Sequence, residues 1–86
     1  MTWEIAILKA FDGLGDCVLN QEAYVHVQDF RKLDAHHRRL QWGERPAYQN
    51  QMRSHISNLC AKGEMRKIGR GLHCITGKGK VRIADL

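Results

Sequence analysis

Residues 46–76 read PAYQNQMRSHISNLCAKGEMRKIGRGLHCIT. Two periodicities meet in this stretch. Tyr48, Met52, Ile56 and Leu59 recur at spacings of four, four and three, which sets them along one side of a helix. Pro46 suits the first helical turn, where its missing N–H costs no hydrogen bond, and Gly63 suits the C-terminal stop. The spacing predicts a helix from Pro46 to Lys62. From Glu64 the period shortens. Glu64 to Ile68 and Leu72 to Thr76 read as two strands, with Gly69-Arg70-Gly71 as the turn between them.

The polar side of that helix is distinctive. At about 100° per residue, the arc opposite the apolar stripe holds Asn50, Arg53, Ser54, Ser57 and Asn58, with Gln49 on the flank. No acid lies between Tyr48 and Lys62, whereas an ordinary solvated face mixes Glu with Lys. The hairpin adds Arg66, Lys67 and Arg70, and Gly77-Lys78-Gly79-Lys80 reads as the start of a basic tail. Val81-Arg82-Ile83 reads as a loose end or a last short strand.

Upstream, Trp3, Ile7, Ala10, Phe11 and Leu14 share one helical face. Thr2 is the candidate N-cap, Glu4 sits in the first turn, and Gly13 and Gly15 end this helix. Cys17-Val18-Leu19 is too short for a helix and reads as a strand. Asn20 is the candidate cap of a second helix running to about Arg31, with Ala23, Tyr24, Val27 and Phe30 inward. Residues 32–45 read as a loop with room for one extra turn, anchored by a buried Trp42.

Charge follows this organisation. Residues 1–30 hold one base and five acids, net −4, and residues 31–86 hold thirteen bases and four acids, net +9. Such asymmetry points to a polyanionic partner. At 86 residues the chain makes one domain. No apolar run approaches the roughly 18 residues of a membrane span, and Met1-Thr2-Trp3-Glu4 does not open like a signal peptide. Cys17, Cys60 and Cys74 are odd in number and widely spaced, which predicts no disulfide framework and a reducing, cytoplasmic setting.

The expected order is helix, short strand, helix, loop, helix, two-stranded hairpin. That is the α+β layout of a winged helix-turn-helix, three helices with a strand after the first and a C-terminal two-stranded wing. Residues 48–79 resemble the recognition helix and wing of small winged-helix modules, such as those at the N-termini of Mrr-like restriction-associated proteins. The shared features are an Arg-bearing helix ending in the Leu59-to-Gly63 step, Ile68-Gly69-Arg70-Gly71 at the wing, and Ile75-Thr76 before the glycine-lysine tail. The stretch from Trp3 to Gly15 is similar to the family's first helix. This sequence departs from the family in its basic, histidine-rich loop at 32–45.

The resemblance implies double-stranded DNA as partner, and transcriptional regulation is the role expected here. The residue types agree with it. Gln49, Asn50, Arg53, Ser54 and Ser57 are expected to read base edges and phosphates, while Arg66, Lys67, Arg70, Lys78 and Lys80 are expected to hold the backbone. A domain of this size covers one half-site, so a homodimer or protein partner is compatible. An adaptor or inhibitor of a nucleic-acid enzyme is the alternative, and RNA binding through an exposed Trp42 is a third. His36-His37-Arg38-Arg39 reads as a second phosphate patch, a pH-sensitive loop or simply a solvated one.

No catalytic or metal site is expected, and no cofactor. Phosphate-loop, nucleophile-elbow and His-Glu-x-x-His motifs are absent, and Glu64-Met65-Arg66 only distorts a nuclease pattern. His55 and Cys60 lie about 140° apart on one helix, and His73 and Cys74 face opposite ways on a strand.

Overall fold

Helix α1 (Trp3–Gly13) is the element against which the others pack. The computed structural model describes residues 2–41 and 45–84. Ala6, Ile7, Leu8, Ala10 and Phe11 of α1 are fully buried, so the helix is apolar around more of its circumference than one stripe. Thr2 caps it, accepting from the Ile5 amide at 3.3 Å. At the other end Gly15 and Asp16 both take positive φ, and the Asp16 amide donates to Phe11 O at 2.9 Å. That turn feeds the chain directly into β1 (Cys17–Leu19).

Helix α2 (Asn20–His26) gives way to a 3-10 turn (Val27–Asp29), so the second helix stops short of the expected Arg31. Asn20 does not cap it. Its amide donates to Gly71 O at 2.8 Å, and its side chain lies against His73. Residues 35–38 make the extra turn, α3 (Ala35–Arg38). Asp34 caps α3 in a reciprocal box, its Oδ1 accepting from the His37 amide at 3.0 Å and His37 Nδ1 accepting from the Asp34 amide at 3.3 Å. β2 (Leu40–Gln41) and β3 (Arg45–Pro46) pair antiparallel around the loop. Trp42, the expected anchor of that loop, lies outside the described residues.

Helix α4 (Ala47–Ala61) buries the predicted stripe of Tyr48, Met52, Ile56 and Leu59. Gly63 follows its Lys62 cap at φ +77°. The Glu64 amide reaches Leu59 O at 2.9 Å and the Gly63 amide reaches Cys60 O at 3.0 Å, the paired closure of a Schellman end. The chain reverses into β4 (Met65–Gly69) and β5 (Leu72–Ile75), with Gly71 at φ +65° in the turn. β1 pairs with β5 on the side away from β4, giving a three-stranded antiparallel sheet in the order β1-β5-β4.

The expected basic tail and last strand are replaced by α5 (Gly77–Ala84). Thr76 starts it, its Oγ1 donating to Gly63 O at 2.7 Å and accepting from the Gly79 amide at 3.3 Å. Ile83 enters the core, and Gly79 lies so close to Glu64 O that a Cβ there would collide with it, and would meet Ile75 Cγ1 at 2.8 Å. The architecture is therefore α+β, with five α-helical segments among the described residues rather than three. The cysteine expectation also fails. Cys17 and Cys74 are directly opposed across β1 and β5 and form a disulfide, and Cys60 is free. A separation of 57 residues hid the fact that their strands are neighbours. With the bond present, the cysteines no longer argue for a reducing compartment. No described helix is long and apolar enough to cross a membrane.

A candidate nucleic-acid interface between α4 and the hairpin

Three elements enclose a groove of about 800 Å³: the start of α2, the outer face of α4 and the hairpin. Arg53 and Ser57 reach it from α4, Lys67 from β4, and Arg70 from the turn. The α4 residues arrive because the apolar stripe turns their side outward. Lys67 arrives by strand alternation, which sends Arg66 to the other side of β4. Among the described residues no carboxylate lines the groove. Arg53, Lys67 and Arg70 are exposed and take part in no ion pair among the described residues.

The other expected residues are placed differently. Ser54 and Arg66 are exposed but do not line the groove. Gln49 and Asn50 are half-buried, and Gln49 Nε2 donates to the Tyr48 hydroxyl at 3.4 Å. Lys78 and Lys80 lie on α5. Lys78 Nζ donates to Lys62 O at 2.8 Å. Lys80 Nζ sits 2.7 Å from Asp16 Oδ2 and 3.8 Å from Asp12 Oδ1, and the Asp16 contact raises its pKa above the ordinary lysine value. The structure thus brings four expected residues together and draws the two α5 lysines to other partners.

Several groove residues carry no charge signal in the sequence. Asn20 Oδ1 lies 2.8 Å from His73 Nδ1 across the sheet. Burial, and then the nearby Lys67 charge, push the His73 pKa below its ordinary value, which favours the neutral ring. A neutral ring meets Asn20 by donating from Nδ1, which leaves Nε2 as an acceptor. Burial raises the Cys60 thiol above its ordinary value, and the protonated sulfur behaves as a small apolar group beside Ile56. The strand pattern that sends His73 and Cys74 to opposite faces was legible. Their partners, Asn20 and Cys17, were not.

The remaining polar clusters are structural. Glu4 accepts from Lys62 Nζ at 2.8 and 3.1 Å and pairs with Arg82 at 2.8 Å, and Arg82 also reaches the buried Glu64 at 2.7 Å. The Lys62 contact holds the Glu4 carboxyl below its ordinary pKa, and Glu4 in turn raises that of Arg82. In the basic loop, His37 is spent on capping α3 and packs edge-on to Trp3 at 5.6 Å. The Trp3 ring also stacks with His55 at 6.2 Å and lies under the Arg31 guanidinium at 4.5 Å. No group of three metal-ligating side chains occurs among the described residues.

Comparison with protein-family models, curated proteins and solved structures gives no match. The groove is therefore interpreted on its own chemistry.

Proposed function

We propose that the chain binds double-stranded DNA as a winged helix-turn-helix module and acts as a small transcriptional regulator. α4 enters the major groove, and the β4–β5 hairpin lies against the backbone. The observation that carries this reading is the convergence of Arg53, Lys67 and Arg70 around a groove where, among the described residues, they have no ionic partner and no carboxylate lines the wall. The strand order adds support, since β1 covers one side of β5 and leaves β4 as the outer strand of the hairpin. Fifteen residues of α4 span about 22 Å, enough to lie across a major groove about 12 Å wide.

Arg53 and Ser57 are the base- and phosphate-facing groups of α4 in this reading, with Ser54 exposed beside them. Lys67 and Arg70 neutralise phosphates, and Arg66 is available on the outer side of the hairpin. Anisotropy titrations with random duplex DNA, duplex RNA and single strands at two salt concentrations test it. Duplex DNA binds most tightly and loses affinity steeply with salt. Arg53→Ala costs about 1–3 kcal/mol on a selected sequence and less on random duplex. A co-purifying protein partner together with salt-insensitive or absent DNA binding overturns the proposal in favour of an adaptor.

A further inference from the structure

The groove is more than a track for a phosphate backbone. Its volume, about 800 Å³, is that of a small-molecule site. Its cations come from two separate elements, Arg53 on α4 and Lys67 and Arg70 on the hairpin. Its lining also includes the exposed Leu19 and the edges of the buried Ile56 and Tyr24. A phosphodiester chain has no need of apolar lining of this kind. A ligand joining a phosphate to a flat ring meets both chemistries.

We propose that this groove binds a free nucleoside monophosphate, with the phosphate on Lys67, Arg70 and Arg53 and the base against the exposed Leu19, where the edges of Tyr24 and Ile56 reach the surface, and that the bound nucleotide excludes DNA. In its neutral form His73, with Nδ1 engaged by Asn20, adds an acceptor to those of Gln21 and Ser57 among the cations. An exocyclic amine or a ribose hydroxyl satisfies it, and a bare anion does not. Phosphate binding is favoured because the cations have no ion pair among the described residues to break before engaging it. The exclusion of DNA rests on the DNA-binding reading, because it assigns the same three cations to backbone phosphates. The nucleotide site itself does not.

The test titrates the full chain with adenosine monophosphate, adenosine, ribose phosphate and inorganic phosphate, following amide shifts by two-dimensional NMR. Adenosine monophosphate shifts residues 19, 53, 57, 67, 70 and 73 saturably. Adenosine and inorganic phosphate each bind about tenfold or more weaker, the loss of one set of contacts. Lys67→Ala, on an exposed strand position, keeps the dispersion of a folded domain and weakens adenosine monophosphate by about tenfold. Adenosine monophosphate also displaces labelled duplex DNA with the same midpoint. Equal shifts from inorganic phosphate, or none at the groove, overturn the nucleotide site. DNA binding that persists at saturating nucleotide overturns the exclusion. Duplex binding without a nucleotide response leaves the DNA reading standing alone, and nucleotide binding without duplex binding does the reverse.

Discussion

Two basic regions of this chain look alike in sequence and differ in what they can do. Arg53, Lys67 and Arg70 stand around a groove lined by no carboxylate among the described residues. Lys78, Lys80 and Arg82 lie on α5, where Lys80 meets Asp16, Arg82 meets Glu4 and Glu64, and Lys78 meets a backbone carbonyl. The first set is available to a partner. The second pairs with Glu4, Asp12, Asp16 and Glu64 and fastens α5 to α1, its following turn and the end of α4. A net charge of +5 is therefore a poor guide to the interface. What matters is which cations the fold leaves unspent.

The largest expected effect concerns the seam between these regions. The Cys17–Cys74 bond closes 57 residues of chain and ties β1 to the hairpin strand β5. Cys17→Ser should lower stability by about 2–4 kcal/mol, measured by chemical denaturation, while leaving the groove cations in place. Unchanged stability would mean the bond is not closed in the folded protein.

Gly79→Ala comes next. The added methyl would run into Glu64 O and crowd Ile75, so α5 must shift, at a cost of about 1–3 kcal/mol. Loosening α5 frees Lys80 from Asp16, so non-specific DNA affinity at low salt should hold or rise even as the melting temperature falls.

Acid should weaken the α5 side through Glu4. Its folded pKa lies below the ordinary 4.5, so the stability it contributes is complete above that value. As pH falls below 4.5 the unfolded chain protonates first, and the contribution is lost as pH passes through the lowered folded value. Glu4→Gln should flatten this part of a stability–pH profile and cost about 1 kcal/mol at neutral pH, since Lys62 is half exposed. A profile identical to wild type would remove Glu4 from the account.

The legible part of the fold was the part written in local periodicity. The stripe of Tyr48, Met52, Ile56 and Leu59, the run Cys17-Val18-Leu19, and the glycine turn between two β-prone runs each report their own structure. α5 was illegible because Gly77 and Gly79 are poor helix formers. Its helix depends on the Thr76 cap, on burial of Ile83 and on a close approach that only glycine permits. Thr76 was the one available signal, and it reads equally well as the end of a strand. In the groove, Arg53, Ser57, Lys67 and Arg70 were legible from residue type and helical phase. Asn20 with His73 was not, because the two are 53 positions apart and meet only through the β1–β5 pairing. Sequence counts the charge of Lys78 and Lys80 but does not show the Asp16 carboxylate that neutralises Lys80 or the Lys62 carbonyl that holds Lys78 in place.

The most direct test compares the two basic regions in one experiment, the salt dependence of duplex DNA affinity. Lys67→Ala/Arg70→Ala should weaken binding to all sequences and reduce the slope of log affinity against log salt by about two. Lys78→Ala/Lys80→Ala should leave the slope at the wild-type value. Equal losses from both pairs, or a wild-type protein with no salt-dependent duplex binding, would contradict the account.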